Sequence, residues 1–210
     1  MRVLVVGARG NMGLRYSAIV RYLHHDLIEY DKAIPGCTYP VKADYDAVII
    51  ATPIPEHVYF CKMGVADGKP TLCEKPITTD TKALRELVGF CNSHPIGNLY
   101  MVNNWAFVGR YREPMSEKYI TINTHNTGRD GTHDLIQPLY LVDNVEDLTV
   151  VKQSPLLNIE ISGEKYGRDD FDKSYVDMVE AFLDGETDKL WNVYECVEAH
   201  ERVVEYEQGQ

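Results

Sequence analysis

Ala47-Val48-Ile49-Ile50 is an unbroken apolar run set between Asp46 and the loop Ala51-Thr52-Pro53-Ile54-Pro55-Glu56-His57. Continuous rather than alternating hydrophobicity marks a strand covered on both faces, and the architecture that covers both is a parallel sheet with helices on either side. Val3-Leu4-Val5-Val6 repeats the pattern near the N-terminus. Each run leads into helical periodicity, Tyr16, Ile19, Val20 and Leu23 after the first, Val58, Cys61 and Val65 after the second. Such alternation of strand and helix predicts a Rossmann-type, doubly wound α/β sheet. Ligands of these sheets bind outside the carboxyl ends of the strands, which puts Ala51, Thr52, Pro53, His57, Glu74 and Lys75 on the ligand side.

Gly7-Ala8-Arg9-Gly10-Asn11-Met12-Gly13 joins the first strand to its helix. Glycines in such a turn permit positive φ, let a pyrophosphate approach the backbone, and allow the helix to pack closely on the strand. The spacing G-x-x-G-x-x-G is one residue longer than the dinucleotide fingerprint, with Arg9 near the place of its second glycine. Taken alone, that is weak. Asp31 adds weight: it ends the strand Leu27–Tyr30, 18 residues after Gly13, where a carboxylate bonds the adenosine ribose hydroxyls and repels a 2′-phosphate. NAD is therefore favoured. Lys32 next door can accept such a phosphate, which leaves NADP open.

From Ala33 to Asp44, Pro35-Gly36 and Pro40 punctuate too often for a helix, so a loop is expected there. The second helix should end near Gly68, followed by a short strand Thr71–Cys73. Thr79 or Asp80 can cap a third helix with Ala83, Leu84, Leu87, Val88 and Cys91 on one face, and Leu99–Val102 reads as a strand. Beyond this the pattern changes. Tyr119–His125 and Leu156–Ser162 alternate, with helices expected around Asp134–Leu141, Phe171–Leu183 and Leu190–Tyr206, predicting a smaller α+β domain with a mainly antiparallel sheet. The boundary falls in Asn103–Pro114, giving a nucleotide-binding domain over 1–105 and a substrate or dimerisation domain over 106–210.

The net charge of −11, without any Lys/Arg run, disfavours nucleic acid and anionic membrane as partners. A dinucleotide remains compatible, because helix N-termini and loop N–H groups hold phosphates locally. No apolar run approaches the ~18 residues that span a bilayer, and Met1-Arg2 leads straight into a strand, so the N-terminus reads as structural. The five cysteines are scattered, with no Cys-x-x-Cys, indicating neither a disulfide framework nor a metal site and fitting a reducing cytoplasm.

Ala51-Thr52-Pro53, His57, Gly68-Lys69-Pro70 and Cys73-Glu74-Lys75-Pro76-Ile77 stand in an order that resembles the glucose-fructose oxidoreductase/inositol dehydrogenase (Gfo/Idh/MocA) family. The resemblance is close over Arg2–Val102, roughly half the chain, and looser beyond. There Gly131-Thr132-His133 looks like the family's G-x-H segment, which carries its catalytic histidine, and Tyr175–Leu183 with Gly185 looks like its late helix. The resemblance implies a hydride transfer between nicotinamide and a secondary alcohol or ketone of a sugar, polyol or cyclitol. It also implies that Lys75, before a proline bond often cis in the family, hydrogen-bonds the substrate oxygen. This chain departs from the pattern in its longer glycine turn and in Arg129, where the family's catalytic Asp usually stands. Its second half is also short, so that it resembles a member with a trimmed C-terminal domain.

Alcohol oxidation needs a hydride acceptor, a base for the hydroxyl proton and a positive group for the developing alkoxide. Lys75 supplies the ammonium; an isolated Glu-Lys pair is ordinarily a surface ion pair, but this motif reverses that expectation. Glu74 would hold Lys75 or contact the nicotinamide ribose. His133 is the best acid/base, since imidazole titrates near neutrality, with Asp130 or Asp134 to orient it. His125 sits on an alternating strand, and His57 is expected to cap its helix or contact cofactor. Trp105, Arg110 and Arg112 (with Tyr111) offer faces and charges for a sugar ring or carboxylate, or a bland linker. Phe171, Tyr175, Met178 and Phe182 read as core. Two other readings stay open: a nucleotide-binding or scaffold protein of this fold without turnover, and a dihydrodipicolinate-type reductase, which the glycine turn suggests and Glu-Lys-Pro opposes. A small antiparallel sheet leaves one face uncovered by helices, so a homodimer or dimer of dimers through that sheet is expected. Sedimentation at micromolar concentration should show it, and a monomer there would count against it.

Overall fold

The computed structural model describes residues 1–107, 119–124, 147–152, 158–161, 164–165 and 168–208. The chain forms two compact units, Met1–Val102 with Val179–Val197, and Asn103–Met178 with Glu198–Gln210.

The first unit is built on β1 (Arg2–Val6), α1 (Asn11–Tyr22), β2 (Asp26–Tyr30), β3 (Ala47–Ile50), α2 (Ile54–Ala66), β4 (Thr71–Cys73), α3 (Thr81–Asn92) and β5 (Leu99–Met101). Its two apolar runs find each other. Val3 pairs with Ala47 through to Val6 with Ile50 in parallel register, and every residue of both runs is buried. At the amino end, the Arg2 N–H and guanidinium both donate to Asp46 at 2.8 Å, holding its carboxyl down at about 2. Strands β2 and β4 flank this pair, and β5 lies beyond β4, all parallel.

Ala33–Asp44 contains no helix, as its prolines predict. Its Tyr39 ring stacks on Phe60 of α2 at 5.9 Å and meets Tyr30 edge-on at 5.2 Å, so aromatic packing does the covering that a helix would otherwise do. Burial pushes the Tyr39 phenol up to about 12. Tyr45, buried beside it, donates to Asp67, the residue at which α2 ends. Helix α2 is followed by Gly68 at φ +67°, and α3 is capped by Asp80, whose carboxylate accepts from the N–H groups of Lys82 and Ala83.

Glycine is demanded by space at two places in the turn after β1. A Cβ on Gly13 would lie 2.0 Å from the Gly7 carbonyl oxygen, and one on Gly7 (φ +84°) 2.7 Å from the Ala51 oxygen.

The region read as one helix from Leu190 differs. Trp191–Asn192 forms β10, which adds antiparallel to β5, so the sheet runs β10-β5-β4-β3-β1-β2. The last helix, α5 (Val193–Gln208), starts only after it. The start is set by a capping box: Asn192 Oδ1 accepts from the Tyr194 and Glu195 N–H groups, and Glu195 Oε2 accepts from the Asn192 N–H at 2.8 Å. That returning strand pairs within the first unit, to which Val179–Val197 belongs.

The second unit carries β6 (Tyr119–Thr124), β7 (Asp147–Lys152), β8 (Asn158–Ile161) and β9 (Glu164–Lys165) in the order β7-β6-β8-β9. The β6–β8 and β8–β9 pairs are antiparallel, as alternation predicts, whereas β6–β7 is parallel over six residues. Helix α4 (Arg168–Asp184) follows, longer at both ends than its apolar periodicity marks. The helix expected at Asp134–Leu141 lies outside the described residues.

Gly13→Ala should destabilise the fold by about 3 kcal/mol or more, because the added methyl meets backbone that cannot withdraw. Exposed Gly89, inside α3 with nothing within 4 Å of its Cβ position, should gain about 0.5–1 kcal/mol on change to Ala. Urea unfolding of the two variants checks both signs.

Candidate functional site

Because β1 to β4 are parallel, their carboxyl ends share one edge of the sheet, and the segments after β1, β2 and β3 build a cleft of about 380 Å³ there. Gly7, Arg9, Gly10, Tyr30, Asp31, Lys32, Ala33, Ala51, Thr52, Pro53, Glu56 and Phe60 line it. Eight of the residues singled out in the sequence as cofactor-binding are thus brought together: Gly7, Arg9, Gly10, Asp31, Lys32, Ala51, Thr52 and Pro53. Asn11, Met12 and Gly13 form the first turn of α1 instead of lining the cleft.

The three glycines divide the work. Gly7 and Gly13 are required by the backbone itself, but a Cβ on Gly10 would meet nothing nearer than 3.4 Å. Gly10 is the N-cap of α1, in extended conformation, and no side chain caps the first turn. The helix therefore presents uncapped N–H groups and the positive end of its dipole beside a residue bare of side chain, an arrangement that fits a pyrophosphate. Asp31 sits at the tip of β2, as expected. Its Oδ2 accepts from the Arg9 N–H and its Oδ1 from the Ala33 N–H, both at 2.8 Å, so the carboxylate is fixed in orientation with lone pairs left for hydroxyl donors.

Glu74, Lys75 and His57 stand beside this cleft and not in its wall. Glu74 is only 8% exposed, and its carboxylate is turned toward α1, where Oε1 accepts from the Tyr16 hydroxyl at 2.6 Å while Oε2 accepts from the Lys75 N–H at 3.0 Å. It braces the Lys75 backbone. Lys75, half-buried, follows β4, and the Lys75–Pro76 peptide is cis. His57 is 1% exposed and lies within α2. Its Nδ1 lies 2.9 Å from the Pro76 carbonyl oxygen and its Nε2 2.7 Å from that of Thr52. A neutral ring donates to one of the two according to its tautomer, and in either case the imidazole bridges the loops after β3 and β4.

Tyr16 was legible only as part of an apolar helix face. A fully buried tyrosine needs a partner for its hydroxyl, and that was the available signal. Glu29, Glu56 and Phe60 also went unnoticed. The cysteines take no part: Cys61, Cys73, Cys91 and Cys196 are buried free thiols, and burial pushes Cys91 up to about 11 and Cys73 and Cys196 well above the ordinary thiol range. Trp105 belongs to the 3₁₀ turn Asn104–Phe107. Arg110, Tyr111, Arg112, His125, Asp130, His133 and Asp134 lie outside the described residues. Among the described helices none is long and apolar enough to cross a membrane.

A parallel sheet with a glycine turn, an uncapped helix start and an acidic tip on β2 defines a Rossmann-type dinucleotide-binding domain. Residues 38–103 match the family model described as "Oxidoreductase family, NAD-binding Rossmann fold". The inositol 2-dehydrogenase of Rhodococcus jostii is 44% identical over 62 residues, 26% of this chain and 17% of that protein. That of Mycolicibacterium smegmatis is 32% identical over 83 residues, 36% of this chain and 24% of that protein. The chain thus matches less than a quarter of the length of these relatives. Among solved structures, the UDP-N-acetylglucosamine 3-dehydrogenase GnnA of Acidithiobacillus ferrooxidans superposes with a TM-score of 0.73 over 98% of this chain and 96% of that one, at 15% identity. The WlbA dehydrogenase of Thermus thermophilus, in complex with NAD and UDP-GlcNAcA, gives 0.70 over 96% and 92%, also at 15%. Identities this low speak for the fold alone. Over residues 38–103 the first unit is thus similar to the Gfo/Idh/MocA oxidoreductase family.

Tyr16→Phe removes the hydroxyl that serves the buried Glu74 carboxylate without opening a cavity, and should cost about 1–3 kcal/mol. Urea unfolding measures it; a loss within error of zero would show that the Glu74 brace does not need this donor.

Proposed function

We propose that this chain binds NAD in the cleft of its first unit and with it oxidises, or in reverse reduces, a secondary alcohol carbon of a sugar, polyol or cyclitol. One observation carries the reading: the uncapped start of α1, Asp31 at the tip of β2 and Lys75-Pro76 at the tip of β4 lie along the shared carboxyl edge of the parallel strands β1 to β4. Bound NAD supplies the hydride acceptor. The first turn of α1, with Gly10, would hold its pyrophosphate, and Asp31 would accept from the adenosine ribose hydroxyls. Lys75 hydrogen-bonds the substrate oxygen and stabilises negative charge there. His133 takes the hydroxyl proton, with Asp130 or Asp134 to orient it, an assignment that rests on the resemblance of Gly131-Thr132-His133 to the family's segment. Trp105, Arg110 and Arg112 are the substrate-side candidates. The related inositol 2-dehydrogenases make myo-inositol the first substrate to try.

The test incubates the whole protein with NAD and a panel of polyhydroxy compounds and follows reduced nicotinamide by absorbance. Turnover is expected, and Lys75→Met should lower it by about a hundredfold or more. Activity that survives this substitution overturns the role given to Lys75. NAD binding by calorimetry with no hydride transfer across the panel would favour a nucleotide-binding or scaffold protein of the same fold.

A further inference from the structure

Two cations stand at the wall of the cleft, and each already has a carboxylate. Lys32 Nζ lies 2.6 Å from Glu56 Oε1, and Arg9 Nη2 lies 3.4 Å from Glu29 Oε2, which it shares with Arg21 at 3.2 Å to the other oxygen. Between them Asp31 is committed to backbone N–H groups through both oxygens. An acidic residue at the tip of the second strand reads the ribose 2′-hydroxyl of NAD, and a neighbouring cation accommodates the 2′-phosphate of NADP. A cleft that holds both an acid and a cation there takes its preference from where the cation is.

Lys32 follows Asp31 directly, and Glu56 reaches it from the first turn of α2, so the pair joins β2's tip to the helix after β3, and both residues line the cleft. The Glu56 carboxylate raises the Lys32 pKa, chiefly by its hydrogen bond, so the ammonium keeps its charge and only its partner is at issue. An exposed ion pair adds little to fold stability. Selectivity asks for less, because two anions compete for one ammonium that stays in water throughout. Glu56 also adds a negative charge to the wall that a phosphate dianion would have to approach.

We propose that Glu56 determines cofactor preference: by holding the Lys32 ammonium on its own carboxylate, it withholds that cation from a 2′-phosphate and turns an ambiguous Asp31-Lys32 pair into a site for NAD. The inference rests on the reading that this cleft binds a nicotinamide dinucleotide.

Calorimetric titration of the whole protein with NAD and with NADP, at low ionic strength, tests it without any turnover. Glu56→Gln keeps the shape and removes the charge, and should shift the ratio of affinities toward NADP by about three- to tenfold, a shift that shrinks with added salt. Adding Lys32→Gln to that variant should remove most of the shift, since no released ammonium remains and only the lost Glu56 charge is left to act. A ratio unchanged by Glu56→Gln, or a shift of undiminished size without Lys32, overturns the proposal while leaving NAD binding intact. If the unaltered protein binds neither dinucleotide, the reading of the cleft fails and Glu56 loses its role with it.

Discussion

Three stretches of backbone meet at the carboxyl ends of β1 and β3 more closely than any side chain permits, and the ligand edge of the first unit is arranged around that contact. Gly13 sits against the Gly7 carbonyl, and Gly7 against Ala51. The apolar residues of β1 and β3 supply the favourable term, by leaving water on both faces of the sheet. The glycines contribute no burial; they allow α1 to begin where the sheet ends. From that placement follow the uncapped helix start, the Arg9 N–H reaching Asp31, and the cleft between the loops.

The charges of this acidic chain are ordered locally. Glu29, Glu56 and Glu74 each hold a particular donor near the ligand edge: an arginine pair, a lysine, and a tyrosine hydroxyl with a backbone N–H. An anionic ligand at α1 therefore meets backbone N–H groups, which a net charge of −11 does not remove.

The match to the oxidoreductase family spans residues 38–103, from within the aromatic loop through β5, and so omits the glycine turn and Asp31. Parallel pairing of β1 with β3 and with β2 is what brings those two features to the same edge as Thr52 and Lys75. His57 then ties the segments after β3 and β4 together, by carbonyls of Thr52 and Pro76 that carry no sequence signature at all.

What the residues by themselves determined was whatever depends on local pattern: buried strands from Val3–Val6 and Ala47–Ile50, helices from their periodicity, the loop at Pro35-Gly36 and Pro40, the Asp80 cap, and a ligand edge with Asp31 and Lys75 on it. Those features are written in periods and turn chemistry that act over a few residues. The tertiary structure alone decided that Glu74 faces Tyr16 58 residues away, that His57 is a brace, that Lys32 is held by Glu56, and that Trp191–Asn192 leaves the helix register to pair with β5. The physical reason is common to all four: a polar group's partner is chosen by which atoms the packed strands and helices carry within about 3 Å of it, and that distance is set across the sheet rather than along the chain.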